Sequence, residues 1–101
     1  MIPSAGDPLV TVLIPAYNAA PYLRDTLVSV QRQGIDDLEI LVIDDGSTDE
    51  TGRVLAGFDD RRLRVVRQSN LGLVGALNRG LDEVRFPLFH GHSGWGSART
   101  V

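Results

Sequence analysis

The sequence predicts an α/β fold in which a mainly parallel sheet lies between helices in three layers. Two short apolar runs rich in β-branched residues, Leu9–Ile14 and Ile40–Ile43, suit strands that are buried on both faces. Segments with the apolar spacing of helices alternate with the strands, and the links between them are short. This alternation implies parallel strands joined by right-handed crossovers. With 101 residues, the chain can form one domain at most.

The first strand is predicted over Leu9–Ile14 and is expected to end at Pro15, because proline cannot donate to a strand ladder. A helix follows, with Pro21 in its first turn and Gly34 as its C-terminal stop. The apolar residues of this helix have helical spacing and are expected to face the sheet: Leu23, Leu27 and Val30.

The second strand stops at an acidic turn, Asp44-Asp45-Gly46. Two carboxylates do not belong inside a core, and Gly46 allows the chain to turn sharply. Sheets of this class bind ligands at the carboxyl ends of their strands. The acidic pair is therefore expected at a ligand site, although Asp and Gly are also ordinary turn residues.

The second helix is predicted from about residue 49 to residue 58. Ser47 and Glu50 have the spacing of a capping box, and Asp49 would interact favourably with the helix dipole. The helix is expected to direct three apolar residues inward: Val54, Leu55 and Phe58.

A third strand is predicted over Leu63–Arg67, and its charges place it near an edge of the sheet. The loop 69–72 leads into a third helix with an apolar stripe of Leu73, Leu77, Leu81 and Val84. The pattern changes after Arg85. Residues 9–85 are therefore predicted to be the folded unit, and residues 86–101, rich in Gly and Ser, are predicted to be irregular.

Composition excludes several classes of protein. The net charge of −3 and the pI near 5.1 argue against a nucleic-acid partner held by phosphate contacts. The chain has no Cys, which excludes disulfides and thiolate metal sites and fits the cytoplasm. No apolar run approaches the roughly 18 residues of a membrane span, and the first residues lack the features of a signal peptide. We expect a cytoplasmic chain without a membrane span.

The three loops that follow the strands carry a combination of motifs. They are Pro15-Ala16-Tyr17-Asn18, then Asp44-Asp45-Gly46-Ser47-Thr48-Asp49, then Asn70-Leu71-Gly72, with Asn78 in the following helix. In this order and spacing they resemble the amino-terminal half of family 2 glycosyltransferases of the GT-A fold. The resemblance covers about Val10 to Arg85 and implies a truncated, Rossmann-like nucleotide-binding unit.

The resemblance implies roles for four residues around a nucleobase. Tyr17 would lie against the base, since aromatic stacking tolerates any base. Asp45 would accept a hydrogen bond from the base edge, while Asp44 would hold the loop or assist with the nucleotide. Pro15 would present its carbonyl beside the base.

Four further residues complete the predicted nucleotide site. Asn18 is expected to brace its loop through side-chain to backbone hydrogen bonds. Asn70, Gly72 and Asn78 match the third loop and the helix after it, and for Asn78 a purely structural role is equally open. The predicted nucleotide-binding residues are therefore Pro15, Tyr17, Asn18, Asp44, Asp45, Asn70, Gly72 and Asn78.

The chemistry of the family implies parts that this sequence does not supply. Family members are inverting enzymes that carry an Asp-x-Asp motif on a fourth strand, where a divalent metal, Mg²⁺ or Mn²⁺, holds the diphosphate of the donor. A later carboxylate acts as the general base. The metal motif should fall near residues 93–96, which read Ser-Gly-Trp-Gly, and no Asp or Glu follows Glu83.

Two functional hypotheses follow. The first is a glycosyltransferase fragment that uses a nucleoside diphosphate sugar, of UDP type, with an unknown acceptor and with the metal ligands and catalytic residues absent from this chain. The second is a truncated, non-catalytic product with at most a residual nucleotide pocket.

Other classes fit the sequence less well. A receiver domain needs a lysine at a later strand end, and all ten basic residues are Arg. The glycines at 72, 75 and 80 do not form the G-x-G-x-x-G spacing of dinucleotide-binding domains. In the tail, His90 and His92 lack a third metal ligand, and residues 91–95 lack the final Gly of a nucleophile elbow.

The resemblance also predicts an incomplete sheet. In the family the first strand lies between the second and the fourth, so a missing fourth strand would expose an apolar edge along Leu9–Ile14. Residues 86–89 are a candidate to fill this gap, although Pro87 would weaken the pairing.

Overall fold

The computed structural model describes residues 10–84 and 98–100, which form a four-stranded parallel sheet with helices on both faces. The strands are β1 (Val10–Ala16), β2 (Leu38–Asp45), β3 (Leu63–Gln68) and β4 (Ala98–Thr100), and the helices are α1 (Ala20–Gln31), α2 (Thr51–Ala56) and α3 (Gly72–Glu83). The strand order is β3-β2-β1-β4, and every neighbouring pair is parallel. The predicted α/β fold with a mainly parallel sheet is confirmed.

The side chains of β1 and β2 alternate between two cores, one on each face of the sheet. The core beneath α1 and α2 contains Val12, Ile14, Ile40 and Val42 from the strands, together with the predicted α1 residues Leu23, Leu27 and Val30. From α2, Leu55 is buried, and Val54 and Phe58 pack against the same cluster. The opposite face carries a smaller core of Leu13, Leu41, Ile43 and Ala76 under α3.

Helix α3 approaches the sheet through its smallest residues. Ala76 and Gly80 are its buried positions, and a Cβ added at Gly80 would clash with the Leu13 side chain. The predicted stripe was therefore partly wrong, because Leu73 at its start is 63% exposed whereas Leu77 packs against the core. Two small residues four positions apart let the helix backbone come close to the strands, which moves the larger residues to its flanks.

Strand β1 continues through Pro15 to Ala16, so the predicted end at Pro15 was wrong. The Val10 N–H donates to the Asp37 carbonyl, which directs the even positions of β1 toward β2. Pro15 is an odd position, so its nitrogen faces the β4 side, where the pairing of described residues ends at Leu13 with Thr100. Proline removes no hydrogen bond to β2 and is compatible with the strand.

Of the two outer strands, β3 was predicted from the sequence and β4 was not. Strand β3 lies at the edge of the sheet beyond β2, as its charges predicted. On the other side, Thr11–Leu13 pairs with Ala98–Thr100, so the edge of β1 is covered over these three residues and the irregular structure expected for 86–101 does not hold there. Residues 86–89, the other candidate for this slot, lie outside the described residues. No sequence signal separated 98–100 from the rest of the tail.

Helix α2 is shorter than predicted and lacks the predicted capping box. The helix begins at Thr51, and the side chain of its N-cap residue, Glu50, makes no capping hydrogen bond. The Ser47 hydroxyl instead accepts a hydrogen bond from the Asn18 N–H at 3.0 Å. A long-range contact with the first loop thus replaces the local interaction that the spacing indicated.

Candidate functional site

The parallel strands bring the three loops together at the carboxyl edge of the sheet. Asp44 is aligned with Ala16 of β1, and Asp45 is aligned with Gln68 of β3. Gly46 lies directly against the third loop, since a Cβ added there would be 2.7 Å from the Asn70 nitrogen. Its φ of +77° also favours glycine. The second and third loops are therefore in close backbone contact.

A cavity of about 180 Å³ opens at this edge. Its lining contains five of the eight predicted site residues together with three apolar neighbours: Pro15, Ala16, Tyr17, Asp45, Asn70, Gly72, Leu73 and Ala76. Tyr17 is 50% exposed at the cavity, so its ring is accessible to a ligand. The cavity thus combines an aromatic ring, a carboxylate and an apolar floor, as small-molecule sites do.

Asp45 is the most heavily hydrogen-bonded group of the cavity, although its exposed fraction is only 3%. Its Oδ1 accepts the Leu71 N–H and the Gln68 side-chain amide, each at 2.8 Å, and its Oδ2 accepts the Gly72 N–H at 2.9 Å. Leu71 and Gly72 begin helix α3. The carboxylate therefore fixes the start of α3 to the end of β2, where the N-terminal helix dipole favours negative charge.

The hydrogen bonds also determine the protonation state of the Asp45 carboxyl group. Burial alone raises the pKa of Asp45, but the bonds from Leu71, Gln68 and Gly72 outweigh it and hold the pKa below the usual value of 3.8. At neutral pH the group is a carboxylate that can only accept hydrogen bonds.

Asp44 points to the opposite face of the sheet, as strand alternation requires. Its Oδ1 accepts the Ser47 N–H at 3.1 Å, and its Oδ2 lies 3.3 Å from the Nε of Arg67. Asp44 is buried and does not line the cavity. Of its two predicted roles, the contacts therefore support holding the loop.

Asn18 braces the first loop against the second, as expected. Its Oδ1 accepts the Thr48 N–H at 2.8 Å and the Asp49 N–H at 3.2 Å. Its φ of +50° is a left-handed conformation that Asn adopts more readily than most residues. Asn18 does not line the cavity, but it holds the loop that carries Tyr17.

A second brace was missed from the sequence. Thr51 Oγ1 accepts the Ala19 N–H at 2.9 Å, and the Asp49 carboxylate accepts the Ala20 N–H at 3.2 Å and the Thr51 N–H at 2.9 Å. The side-chain hydrogen bond from Thr51 is the main cause that lowers the pKa of Asp49; burial opposes it, and the backbone N–H groups of Thr51, Ala20 and Asp49 itself lower the pKa further. Asp49 and Thr51 thus join the starts of α1 and α2, a contact between distant segments that local patterns do not reveal.

Asn78 is not brought to the cavity. It is exposed on α3, two residues from each of the buried positions Ala76 and Gly80. Two residues correspond to about 200° around a helix, so Asn78 lies on the outer face of α3.

A larger depression of about 700 Å³ lies between α2 and β3 on the other face. Of the predicted site residues, none lines it, and the Arg67 side chain lies over Gly52 within it. We place the site in the smaller cavity because the stacking and hydrogen-bonding groups converge there.

Among the residues that the structure describes, no group of three His, Cys, Asp or Glu side chains could hold a metal ion. None of the helices in the described ranges has the length and apolar character needed to cross a membrane.

Similar proteins were found by sequence. The uncharacterized glycosyltransferase EpsJ of Bacillus subtilis is 36% identical over 80 residues, which cover 77% of this chain and 23% of EpsJ. The glycosyltransferase GlyA of Streptococcus pneumoniae is 40% identical over 80 residues, covering 77% of this chain and 12% of GlyA. A chondroitin synthase of Escherichia coli is 42% identical over 73 residues, covering 70% of this chain and 11% of the synthase.

A solved structure agrees with these sequence relatives. The mannosyltransferase PcManGT from Pyrobaculum calidifontis, determined in complex with GDP-Man and Mn²⁺, is 30% identical with a TM-score of 0.67. The match covers 80% of this chain and 26% of PcManGT. The chain thus spans about a quarter or less of the length of these proteins.

The family model of glycosyl transferase family 2 matches residues 11–89, most of the chain, and confirms the resemblance carried by the three loops. The chain belongs to glycosyl transferase family 2.

Proposed function

We propose that this chain is the donor-nucleotide-binding part of a glycosyltransferase that moves a sugar from a nucleoside diphosphate sugar to an acceptor. The observation that carries the proposal is the convergence of Tyr17 and Asp45 on one cavity, built from the loops that mark the family. Pro15, Asn70 and Gly72 line the same cavity and are proposed to contact the nucleotide. Asn18 and Asp44 are proposed to support these loops rather than to touch the ligand.

The chemistry of the cavity favours particular bases. An exposed aromatic ring such as Tyr17 offers a stacking surface for any base. An ionised Asp45 accepts hydrogen bonds and cannot donate them, so it suits a base that presents a ring N–H. Uracil and guanine present such a donor, whereas cytosine and adenine present a ring acceptor at the equivalent position. We propose a donor of UDP type. Because the structure of PcManGT contains GDP-Man, GDP is the nucleotide to compare with UDP.

Metal dependence and inversion at the anomeric carbon of the sugar are proposed only for the family enzyme, not for this chain alone. PcManGT was determined with Mn²⁺, but the described part of this chain offers no metal-binding cluster, and no Asp or Glu follows Glu83 in the sequence. We therefore assign no metal ligand, no catalytic residue and no reaction step to the residues described.

A second candidate function follows from the same observation. The chain alone is proposed to bind the donor nucleotide without transferring sugar, as a non-catalytic product. A transfer assay on the full chain with labelled nucleotide sugars and Mg²⁺ or Mn²⁺ distinguishes the two: measurable turnover contradicts this candidate.

The absence of Cys supports a cytoplasmic location, which we also propose.

Binding is tested by titrating the full chain with UDP and GDP, using calorimetry and the NMR signals of Tyr17. Replacing Tyr17 by Ala removes the stacking surface and is expected to weaken UDP binding by about 1–3 kcal/mol, roughly 5-fold to 150-fold in Kd. Tyr22, 59% exposed on α1 and outside the cavity lining, gives the matched control Tyr22→Ala, which should bind normally. Equal effects of the two substitutions would contradict the proposed site.

A further inference from the structure

The two oxygens of the Asp45 carboxylate have different surroundings. The donors to Oδ1, the Gln68 amide and the Leu71 N–H, belong to residues outside the cavity lining. The donor to Oδ2 is the N–H of Gly72, which is part of that lining. Oδ2 is therefore the oxygen that is bonded to a residue of the cavity lining.

The remaining capacity of each oxygen follows from a count. A carboxylate offers about four lone-pair sites, two on each oxygen. Gln68 and Leu71 occupy both sites of Oδ1, whereas Gly72 occupies one site of Oδ2. One acceptor site is left, and it lies on Oδ2.

We propose that Gln68 is a positioning residue that closes Oδ1 of Asp45, so that a nucleobase can be read only through the single free site on Oδ2. Gln68 ends the edge strand β3 in register with Asp45, and its side chain lies on the same face of the sheet. Unlike the Leu71 N–H, which any residue except proline would supply, the Gln68 amide depends on the amino acid at this position. Base selectivity therefore depends on a residue that does not line the cavity. This inference rests on the proposed function.

The physical reason lies in the charge presented to the base. The ionised carboxylate, with its one remaining acceptor site on Oδ2, strengthens the hydrogen bond from a ring N–H and repels a ring acceptor. If the partner at position 68 were a carboxylate, the two acids would share a proton, as neighbouring carboxyl groups do. The charge at Oδ2 would fall, which weakens the attraction of uracil and the repulsion of cytosine together.

The test compares the Kd of UDP with that of CDP for the full chain and its variants. Gln68→Glu is expected to weaken UDP binding and to strengthen CDP binding, so that the ratio of the CDP Kd to the UDP Kd falls about tenfold. Gln68→Met removes the donor without adding charge and should give an intermediate ratio. Gln33→Glu and Gln33→Met are the matched controls, because the Gln33 amide donates only to the exposed Ser29 carbonyl.

The possible results distinguish a failure of the inference about Gln68 from a failure of the proposed function on which it rests. If UDP and CDP affinities fall by the same factor in both Gln68 variants, Gln68 has only a structural role and the inference is overturned. If Gln68→Glu does not fold, as judged by circular dichroism, the ratio for Gln68→Met decides. If the unmodified chain binds UDP no better than CDP, the proposed reading of the base by Asp45 is itself wrong.

Discussion

The two ends of the sheet each bury a carboxylate on the α3 face, and they stabilise it in different ways. At the amino end, Glu39 is 4% exposed and lies 3.2 Å from the Arg64 guanidinium, which also pairs with Glu83 at 3.0 Å. At the carboxyl end, Asp45 is bound by two backbone N–H groups and an amide. None of the ion pairs formed among the described residues includes Asp45.

The difference shows how one fold separates stability from binding. Arg64 neutralises Glu39 and also donates to the Glu83 carbonyl, which ties the last turn of α3 to the sheet. Thr11 Oγ1 donates a further hydrogen bond to Glu39 at 3.2 Å, so the carboxylate at the amino end is held within a network of side chains. Neutral donors at the other end stabilise the charge of Asp45 without cancelling it. That charge therefore stays available to a ligand, at the end of the sheet where the cavity opens.

The largest effect on stability is expected from breaking the amino-end network. Replacing Arg64 by Met removes its ion pairs with the buried Glu39 and with Glu83, and breaking a buried pair costs about 3 kcal/mol of the free energy of unfolding. Urea denaturation would measure the loss, and UDP titration of the folded variant should give an unchanged Kd. Arg53→Met is the control, since Arg53 is 81% exposed and its pair with Glu50 contributes little. A loss of UDP affinity in the folded Arg64 variant would contradict the separation of the two ends.

Asp45→Asn should affect stability and binding together. An Asn side chain has one acceptor oxygen, so its NH₂ group must face either the Gly72 N–H or the donors from Gln68 and Leu71. One unmade buried hydrogen bond costs about 1–3 kcal/mol, and loss of the charge should weaken UDP binding at least tenfold. Denaturation and calorimetry on the same samples would measure both. Normal UDP binding by this variant would remove Asp45 from the site.

A smaller effect is expected at the brace beneath Tyr17. Asn18→Asp keeps the acceptor oxygen and should retain both UDP binding and stability. Asn18→Gly keeps the positive φ but loses the bonds to the second loop, at a cost of about 1 kcal/mol because water can replace these exposed contacts. Asn18→Ala also bears the strain of the left-handed backbone, about 1 kcal/mol more. Thermal denaturation should rank the variants Asp, Gly, Ala, and the opposite order for Gly and Ala would contradict the φ argument.

Acid should destabilise both ends of the sheet. Hydrogen bonding by Arg62 is the main cause that lowers the pKa of Asp60 from 3.8 to about 2, and the pKa of Asp45 is also lowered. A carboxyl whose pKa is lower in the folded state stabilises the protein above the unfolded value. That contribution is lost as pH falls from about 4 toward 2. Urea midpoints between pH 7 and pH 2.5 should fall in this window, and Asp60→Asn should reduce the fall. A urea midpoint that stays the same between pH 7 and pH 2.5 would contradict the lowered pKa values of Asp45 and Asp60.

Much of the fold could be predicted because it depends on local patterns. The strand cores, the α1 residues that face the sheet and the edge position of β3 follow from apolar period and charge, which act within a few residues. Tyr17 and Asp45 were identified by the order of motifs, and both line the cavity. The hydrogen bonds that Ser47, Asp49 and Thr51 accept from the N–H groups of residues 18–20 were not identified, because they join segments about 30 residues apart.

The amino acid sequence by itself determined the alternation of strands and helices, the acidic turn and the loops that carry the family pattern. Only the tertiary structure decided which of the two aspartates faces the cavity, how closely α3 packs through Ala76 and Gly80, and which strand covers the edge of β1. The physical reason is that side-chain direction and helix approach depend on strand register and on packing between distant residues. Such contacts form only after the chain has closed its loops.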